Sequence, residues 1–134
     1  MEKSVFGFGI VNEKIIDEIN ILQATRLAME QAINSVVRKS DTRNRRVYII
    51  VDGNMSLNIS LPYTSIVKGD SKSKSIASAS ILAKVIRDRI MKVYDRFYPQ
   101  YGFIRHKGYP TRAHRDILKR IGPSSIHRKS FCYV

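Results

Sequence analysis

Two aspartates each follow a short apolar run in a chain that is otherwise dominated by lysine and arginine. Asp52 comes directly after the run 49–51, and Asp70 lies shortly after the run 66–67. An apolar run that forms a buried strand delivers the next side chain to a sheet edge, where a half-buried carboxylate is costly unless a cation compensates it. Two such carboxylates would suit Mg²⁺ or Mn²⁺, with positions left for water and a phosphate oxygen. For either aspartate alone, an ordinary turn is the alternative.

The composition favours a polyanionic partner. The 134 residues include 24 Lys and Arg against 11 Asp and Glu, a formal net charge of +13, and 43% hydrophobic residues, which suffice for a core. A positive field of this size favours nucleic acid, because binding a phosphate backbone releases counterions. The single cysteine excludes an intrachain disulfide, and three histidines that lie apart in the sequence argue against a Cys/His metal site.

The chain shows no apolar run long enough to cross a bilayer and no signal-peptide pattern at its N-terminus. We therefore expect a cytoplasmic protein without a membrane partner. Apolar spacing predicts a single α/β domain over residues 1–134, in which strands separated by helices allow parallel pairing. The predicted elements are a strand over 4–11, a helix that Asn20 caps and that runs to about Arg38, strands over 47–51 and 64–67, a helix from Ser75 toward Tyr98, and a helix from its cap Thr111 through Arg120.

Six segments, spread over nearly the whole chain, resemble the motifs of one family in their order and approximate spacing. They are IDEINILQAT at 16–25, VDGN at 51–54, VKGDS at 67–71, SASILAKVIRD at 78–88, YPQYGF at 98–103 and HKGYPT at 106–111. Any one of them would be weak evidence, but six in register are not a coincidence. The chain resembles the C-terminal portion of ribonuclease HII, the bacterial type 2 ribonuclease H.

The resemblance implies a ribonuclease-H-like mixed sheet flanked by helices. It also implies an endonuclease that cuts the RNA strand of RNA–DNA hybrids and cuts at ribonucleotides embedded in duplex DNA. In that family four acidic residues bind two metal ions, Mg²⁺ or Mn²⁺, and Asp52 and Asp70 match the third and fourth. Tyr109 matches the tyrosine that packs near the ribose at the RNA–DNA junction, where a ring can stack and a hydroxyl can bond.

Further substrate contacts are expected from polar residues near these motifs. Lys84 and Arg87 would contact phosphates, although a solvated face of a long helix would show the same residues. For Ser71, which follows Asp70, the alternative to substrate binding is that it caps a turn. The predicted substrate-binding residues are Tyr109, Lys68, Ser71, Lys84, Arg87 and Lys107.

The family's adjacent Asp-Glu pair on the first strand has no counterpart in these residues. Asp17 and Glu18 are adjacent, but they fall where the resemblance places a helix, near an N-terminus whose dipole favours acids. The resemblance therefore predicts an N-terminally truncated domain with its first strands missing. Exposed sheet edges would then favour association in a family that is usually monomeric.

Because two of the four expected acidic ligands have no counterpart in these residues, we expect weak cleavage or none from this chain alone. Three interpretations stay open at this point. The first is a ribonuclease HII that is truncated, mis-started or recorded in part. The second is a catalytically dead, basic nucleic-acid-binding remnant, and the third is a fragment that complements a separate N-terminal piece by strand addition.

Overall fold

The computed structural model describes residues 4–40 and 46–131 and divides into two compact units, Met1–Ala79 and Ser80–Val134. The described helices and strands are α1 (Glu13–Lys39), β1 (Ile49–Asp52), β2 (Tyr63–Ile66), α2 (Lys74–Phe97), α3 (Phe103–His106) and α4 (Arg112–Ile121). Short 3₁₀ turns occur at Gly69–Ser71, Pro99–Tyr101 and Lys129–Phe131. Helix α2 contributes residues to both units, and each unit is described by itself below.

The first unit contains the described part of the sheet, in which β1 and β2 run parallel. Asp52 pairs in register with Ile66, so both strands end at the same edge. The buried apolar side chains of this unit come from α1, from β1, from the loop after β1 and from the start of α2. They are Ala24, Val51, Leu57 and Ile76. The predicted α/β class, with strands that pair in parallel, is confirmed.

Helix α1 is interrupted at the residue that the sequence predicts as its cap. Asn20 has φ 67° and ψ 167°, and its side chain accepts a hydrogen bond from the amide of Gln23 at 3.1 Å. This is an N-cap interaction, since the side-chain oxygen satisfies an amide that has no partner inside the helix. The cap at Asn20 is confirmed, and a shorter helical segment precedes it, capped by Asn12 through the amide of Ile15.

The strand predicted over residues 4–11 is wrong, because this segment has no strand pairing among the described residues and lies along α1 instead. A Cβ added to Gly9 would clash with the carbonyl oxygen of Ala28, so only glycine permits this approach. The amide of Ile10 donates to the side chain of Gln31 at 3.2 Å. The contacts with α1 are made at the glycines and the backbone, whereas Val5, Phe6 and Ile10 are exposed, so the alternation of apolar residues does not mark a paired strand here.

The second unit is organised around aromatic side chains. Tyr101, Phe103 and Leu118 are buried, with 4%, 3% and 9% of their surface exposed. As predicted, Thr111 caps α4 by accepting a hydrogen bond from the amide of His114 at 3.2 Å. The partly buried residues that pack against this core are Met91, Tyr94, Tyr98, Ile117 and Ile126.

None of the helices within 4–40 and 46–131 combines the length and the apolar content needed to cross a bilayer.

Candidate functional site

A single hydrogen bond ties the end of β1 to the turn that follows β2. Asp52 is the last residue of β1, and its Oδ1 accepts a hydrogen bond from the amide of Gly69 at 2.8 Å. Gly69 directly precedes Asp70, so the first predicted metal ligand is anchored on the neighbour of the second. We call Asp52, Gly69 and Asp70 the carboxylate edge. In α/β proteins, ligands bind at the carboxyl ends of parallel strands, and the carboxylate edge lies there.

The turn that carries Asp70 is held by its own polar groups. Lys68 adopts left-handed backbone angles, φ 55° and ψ 45°. The hydroxyl of Ser71 donates to the carbonyl of Lys68 at 2.8 Å, and Oδ1 of Asp70 accepts the amide of Ser71 at 2.9 Å. Ser71 thus makes the turn contact that was the alternative to substrate binding. Both aspartates are exposed, so a ligand from solvent can reach them.

Glycine at position 69 permits the close approach of the two segments. Gly69 is buried, and a Cβ there would lie 2.6 Å from Cδ1 of Ile76 and 3.3 Å from Oδ1 of Asp52. The first distance is a clash inside the core of the unit, since Ile76 is only 5% exposed. The absence of a side chain at this position therefore sets how closely the turn approaches β1.

The donors at the carboxylate edge suit a hard divalent cation. Carboxylate oxygens are preferred ligands of Mg²⁺ and Mn²⁺, and both aspartates are accessible. One carboxylate oxygen of Asp52 already accepts a hydrogen bond from the amide of Gly69. In the described ranges, no group of three or more His, Cys, Asp or Glu side chains is arranged to hold a metal. The residues present can supply two carboxylate ligands.

Four of the predicted substrate-binding residues line one open groove in the second unit. The groove has a volume of about 710 Å³, and its lining includes Lys84 and Arg87 from α2, with Lys107 and Tyr109 from the segment between α3 and α4. We call it the basic groove. Its other lining residues are Ala83, Asp88, Arg105, His106 and Thr111.

The guanidinium of Arg87 holds Tyr109 inside the basic groove. Its Cζ lies 4.3 Å from the centre of the Tyr109 ring, and Nη1 donates to the tyrosine hydroxyl at 2.9 Å. Nη2 donates to the carbonyl of Lys107 at 2.8 Å. A planar, forked cation can make these contacts together, which a lysine cannot. Tyr109 is nevertheless 58% exposed, so much of its side chain is available to a ligand.

Comparison with known proteins identifies the family. The family model described as Ribonuclease HII matches residues 3–134. The chain is 52% identical over 126 residues to Ribonuclease HII of Clostridioides difficile (strain 630), with 94% of this chain and 47% of the relative covered. It is 48% identical over 134 residues to Ribonuclease HII of Pseudothermotoga lettingae, with 100% and 57% covered. The chain belongs to the ribonuclease HII family. The resemblance based on six motifs is confirmed.

The chain spans about half the length of the curated ribonuclease HII relatives it matches, from 47% to 61% among eight of them. The family assignment therefore rests on a match that covers nearly all of this chain and about half of each relative.

The residues predicted from ribonuclease HII motifs fall into two sets. The first unit contains Asp52, Lys68, Asp70 and Ser71, which the hydrogen bonds at the carboxylate edge bring together. The second unit contains the predicted residues of the basic groove, which are Lys84, Arg87, Lys107 and Tyr109. In each set, residues that are distant in the sequence become neighbours, and their roles stay predictions.

Sequence reasoning missed a cluster of histidines in the second unit. The rings of His106 and His114 stack with centres 4.0 Å apart, and Nε2 of His114 lies 3.1 Å from Nε2 of His127. We call these three residues the imidazole cluster. Burial lowers the pKa of His114, and burial together with the neighbouring His114 lowers the pKa of His127 to about 4. The cap at Thr111 places His114 in the first turn of α4, but this local signal does not indicate that the three histidines meet.

Proposed function

We propose that the protein acts as a ribonuclease HII, hydrolysing the RNA strand of RNA–DNA hybrids and cutting at ribonucleotides embedded in duplex DNA. The observation that carries the proposal is the hydrogen bond from the amide of Gly69 to Asp52, which brings the segments of two predicted metal ligands together. Membership of the ribonuclease HII family supports the reaction class.

Asp52 and Asp70 are the proposed ligands of Mg²⁺ or Mn²⁺. Such an ion supplies Lewis-acid stabilisation of a phosphodiester and lowers the pKa of a bound water. The amide of Gly69 orients the carboxylate of Asp52, and the hydroxyl of Ser71 fixes the turn beneath Asp70. Lys68 lies in the same turn and is exposed, which supports its proposed contact with a phosphate.

The basic groove is the proposed binding surface for the nucleic acid. Lys84 is exposed, and the ammonium of Lys107 is bound to the carbonyl of Ile104 at 2.6 Å, so both place positive charge along the groove. The ring of Tyr109 offers a surface on which a sugar or base can stack. Arg87 holds that ring, and we propose that its charge also attracts a phosphate.

A second candidate function is nucleic-acid binding without hydrolysis. The observation that favours it is the basic groove, which gathers its four predicted residues without using either carboxylate. We also propose weak cleavage or none for these 134 residues tested alone, because Asp52 and Asp70 are two of the four acidic ligands that the resemblance implies.

We further propose one domain over residues 1–134, which the match of a single family model over 3–134 supports. We also propose that the protein is cytoplasmic and monomeric and has no membrane partner. Association through exposed strand edges is the alternative to the monomer.

The metal site can be tested without relying on cleavage. Mn²⁺ is paramagnetic and broadens the NMR signals of amides close to it, so we expect selective broadening at Gly53 and Gly69. Asp52→Asn should weaken Mn²⁺ binding about tenfold, since it removes one of two charged ligands. Asp116→Asn on α4 is the matched control, because this aspartate is exposed and its contact with Arg112 is long, at 3.9 Å. Broadening that is absent, or unchanged in Asp52→Asn, would contradict the site.

The second test is cleavage of duplex DNA containing one ribonucleotide, with Mg²⁺ and with Mn²⁺. Any cleavage by the chain should disappear in Asp52→Asn and persist in Asp116→Asn. Cleavage that survives Asp52→Asn would overturn the catalytic role of the carboxylate edge. If no variant cleaves, and binding of an RNA–DNA hybrid still depends on Lys84 and Lys107, the second candidate is favoured.

A further inference from the structure

A line of hydrogen bonds runs from the segment after α4 to the backbone of Tyr109. The amide and the hydroxyl of Ser124 lie 3.0 and 2.8 Å from Nδ1 of His127. Nε2 of His127 lies 3.1 Å from Nε2 of His114, and Nδ1 of His114 lies 3.0 Å from the carbonyl oxygen of Tyr109. Two imidazoles therefore connect Ser124 with the tyrosine of the basic groove.

The groups at both ends decide where the protons lie. A carbonyl oxygen can only accept, so Nδ1 of His114 carries a proton and donates to Tyr109. A backbone amide can only donate, so Nδ1 of His127 accepts from Ser124 and carries no proton. The proton of neutral His127 is then on Nε2, which donates to the bare Nε2 of His114. Each ring has one allowed tautomer.

His106 holds the same segment from the other side. Its Nε2 donates to the carbonyl of Tyr101 at 2.8 Å, and its Nδ1 accepts from the amide of Gly108 at 3.1 Å. The amide of Tyr109 in turn donates to the backbone carbonyl of His106 at 2.8 Å. The ring stacks on His114 with an angle of 13° between the planes. The backbone at 108–109 is thus bound by both stacked histidines.

An additional proton would disrupt this line of hydrogen bonds, although the hydroxyl oxygen of Ser124, 2.8 Å from Nδ1 of His127, can accept at that end. A proton on Nδ1 of His127 would meet the amide of Ser124, and one on Nε2 of His114 would meet the N–H of His127. His106 and His114 are only 8% and 5% exposed, so a charge on either would be poorly solvated. Within the described ranges, no ion pair joins a carboxylate to these rings.

Tyr101 and charged groups of both signs lie near the imidazole cluster. Tyr101 packs its ring 4.9 Å from that of His127 and is neutral below its raised pKa. Arg105 and Lys107 flank His106 in the chain and line the basic groove with it. Asp88 lines the same groove, so both cations and an acid lie beside the cluster. The apolar ring of Phe103 packs against all three members of the cluster.

We propose that His114 and His127 are positioning residues for Tyr109: as neutral imidazoles with fixed tautomers they hold its carbonyl in place, and protonation of the imidazole cluster releases it. The role in substrate binding rests on the proposed function. The tautomers and the hydrogen bonds do not, so the two parts can fail separately.

The first experiment is NMR of the ring nitrogens in the unaltered chain at pH 7. We expect the Nε2–H form for His106 and His127 and the Nδ1–H form for His114. On acidification, the amide signals of Gly108 and Tyr109 should shift together with the rings of His114 and His127. A different set of tautomers, or histidines that titrate while Gly108 and Tyr109 stay unchanged, would overturn the proposal. This experiment needs no variant and no nucleic acid.

The second experiment measures affinity for an RNA–DNA hybrid at pH 7 by fluorescence anisotropy. His127→Leu removes the donor to His114 and should weaken binding about threefold, as the loss of a hydrogen bond does. His127→Gln keeps an N–H donor and should restore most of the affinity. In a Tyr109→Ala background the carbonyl at position 109 remains but the ring that it positions is absent, so His127→Leu should have no further effect on affinity.

The outcomes of the second experiment separate the two proposals. Equal losses from His127→Leu with and without Tyr109 would show a general structural role and overturn the positioning role. Absence of hybrid binding by the unaltered chain would count against the proposed function, and the ring spectra would then decide the inference alone. If His127→Leu does not fold, as judged by circular dichroism, the ring spectra and His127→Gln still decide it.

Discussion

The carboxylate edge and the basic groove hold their functional side chains in different ways. At the carboxylate edge, a backbone amide binds Asp52, and the turn carrying Asp70 closes on its own main chain. In the basic groove, the guanidinium of Arg87 holds Tyr109 through its ring and hydroxyl. Backbone anchors depend on how closely two segments approach. The anchor from Arg87 depends on the shape of the guanidinium, and the backbone of Tyr109 is held by imidazoles whose contacts depend on their protonation.

This difference predicts different sensitivities. The bond to Asp52 depends on the close approach of the Gly69 amide, so a steric change at Gly69 should disturb it. The imidazole cluster that supports Tyr109 is sensitive to an added proton and to loss of its apolar surroundings. Substitutions in the two regions and a change of pH should therefore have effects of different size.

Removing the apolar support of the imidazole cluster should have the largest effect. Phe103 is 3% exposed and its ring lies 5.8, 6.0 and 5.4 Å from those of His106, His114 and His127. We expect Phe103→Ala to lower the free energy of unfolding by about 3 kcal/mol, through lost burial and the cavity left behind. Urea denaturation at pH 7 measures this change.

The control for this change is Phe131→Ala, which truncates an exposed ring. Phe131 is 47% exposed and lies under the guanidinium of Arg128 at 4.1 Å. Its truncation should lower the free energy of unfolding by less than about 1 kcal/mol. Equal losses for the two variants would show that the aromatic core does not support the cluster as we describe.

A steric change should affect the carboxylate edge next most strongly. Gly69→Ala adds a Cβ at 2.6 Å from Cδ1 of Ile76, and we expect it to cost about 2 kcal/mol because the buried isoleucine must move. It should also weaken Mn²⁺ binding, since the amide at position 69 orients Asp52. Denaturation and Mn²⁺ titration measure the two effects.

Gly53→Ala is an instructive control for the same edge. Apart from the chain neighbours, no atom of residues 4–40 and 46–131 lies within 4 Å of a Cβ added there, but φ is +94°, so we expect its cost to come from backbone strain. We expect a loss of unfolding free energy without the clash at Ile76. If Gly69→Ala leaves both stability and Mn²⁺ affinity unchanged, the close approach at position 69 does not organise the carboxylate edge.

Helix starts and strand ends could be predicted from the sequence where residues close in the chain determine them. Asn20 and Thr111 cap helices through amides within three residues, so their side-chain types suffice to locate the helix starts. The strand that ends at Asp52 is a short apolar run followed by turn residues. The strand predicted over 4–11 was wrong because this segment contacts α1 through Gly9 and the backbone amide of Ile10, which the alternation of apolar residues does not indicate.

The imidazole cluster could not be predicted from the sequence for a physical reason. His106, His114 and His127 are separated by 7 and 12 intervening residues, and no period relates them. Their tautomers follow from a carbonyl and two amides that only the folded backbone brings within reach. The same limit applies to Arg87, whose position on a polar helix face did not indicate its contact with Tyr109.

Acid should destabilise the protein through His127. The pKa of this residue is about 4 in the folded protein against 6.5 for an ordinary histidine. Between these two pH values the unfolded chain binds a proton that the folded chain does not. The contribution of His127 to the free energy of unfolding is therefore fully present above pH 6.5 and is lost as the pH falls toward 4. Because the ring is only partly buried, solvent screens the effect, and we expect the free energy of unfolding to fall by about 1 kcal/mol.

Urea denaturation of the chain and of His127→Gln at several pH values between 7.5 and 4 isolates this contribution. Glutamine does not titrate, so the variant should lose less stability over the same interval, and the difference between the two curves reports His127. Parallel curves would mean that His127 titrates alike in the folded and unfolded chains. The carboxylate edge should contribute nothing to the difference, since both proteins contain it.

The smallest change should follow Arg87→Lys, which keeps the charge and removes the forked geometry. A lysine cannot stack on Tyr109 and bind both its hydroxyl and the carbonyl of Lys107, so we expect a loss of hybrid affinity of about fivefold or less. The matched control is Arg89→Lys, at an exposed position of the same helix outside the groove lining, which should change little.

Salt separates the two ways in which Arg87 can act. If it holds Tyr109, the Arg87→Lys protein should keep the salt dependence of hybrid binding, because the charge is preserved and the number of neutralised phosphates is the same. If its forked contact with a phosphate matters instead, the affinity should fall even when Tyr109 is replaced by alanine. A loss confined to the protein with Tyr109 therefore assigns Arg87 to the positioning of the ring, and a loss in both backgrounds assigns it to the nucleic acid.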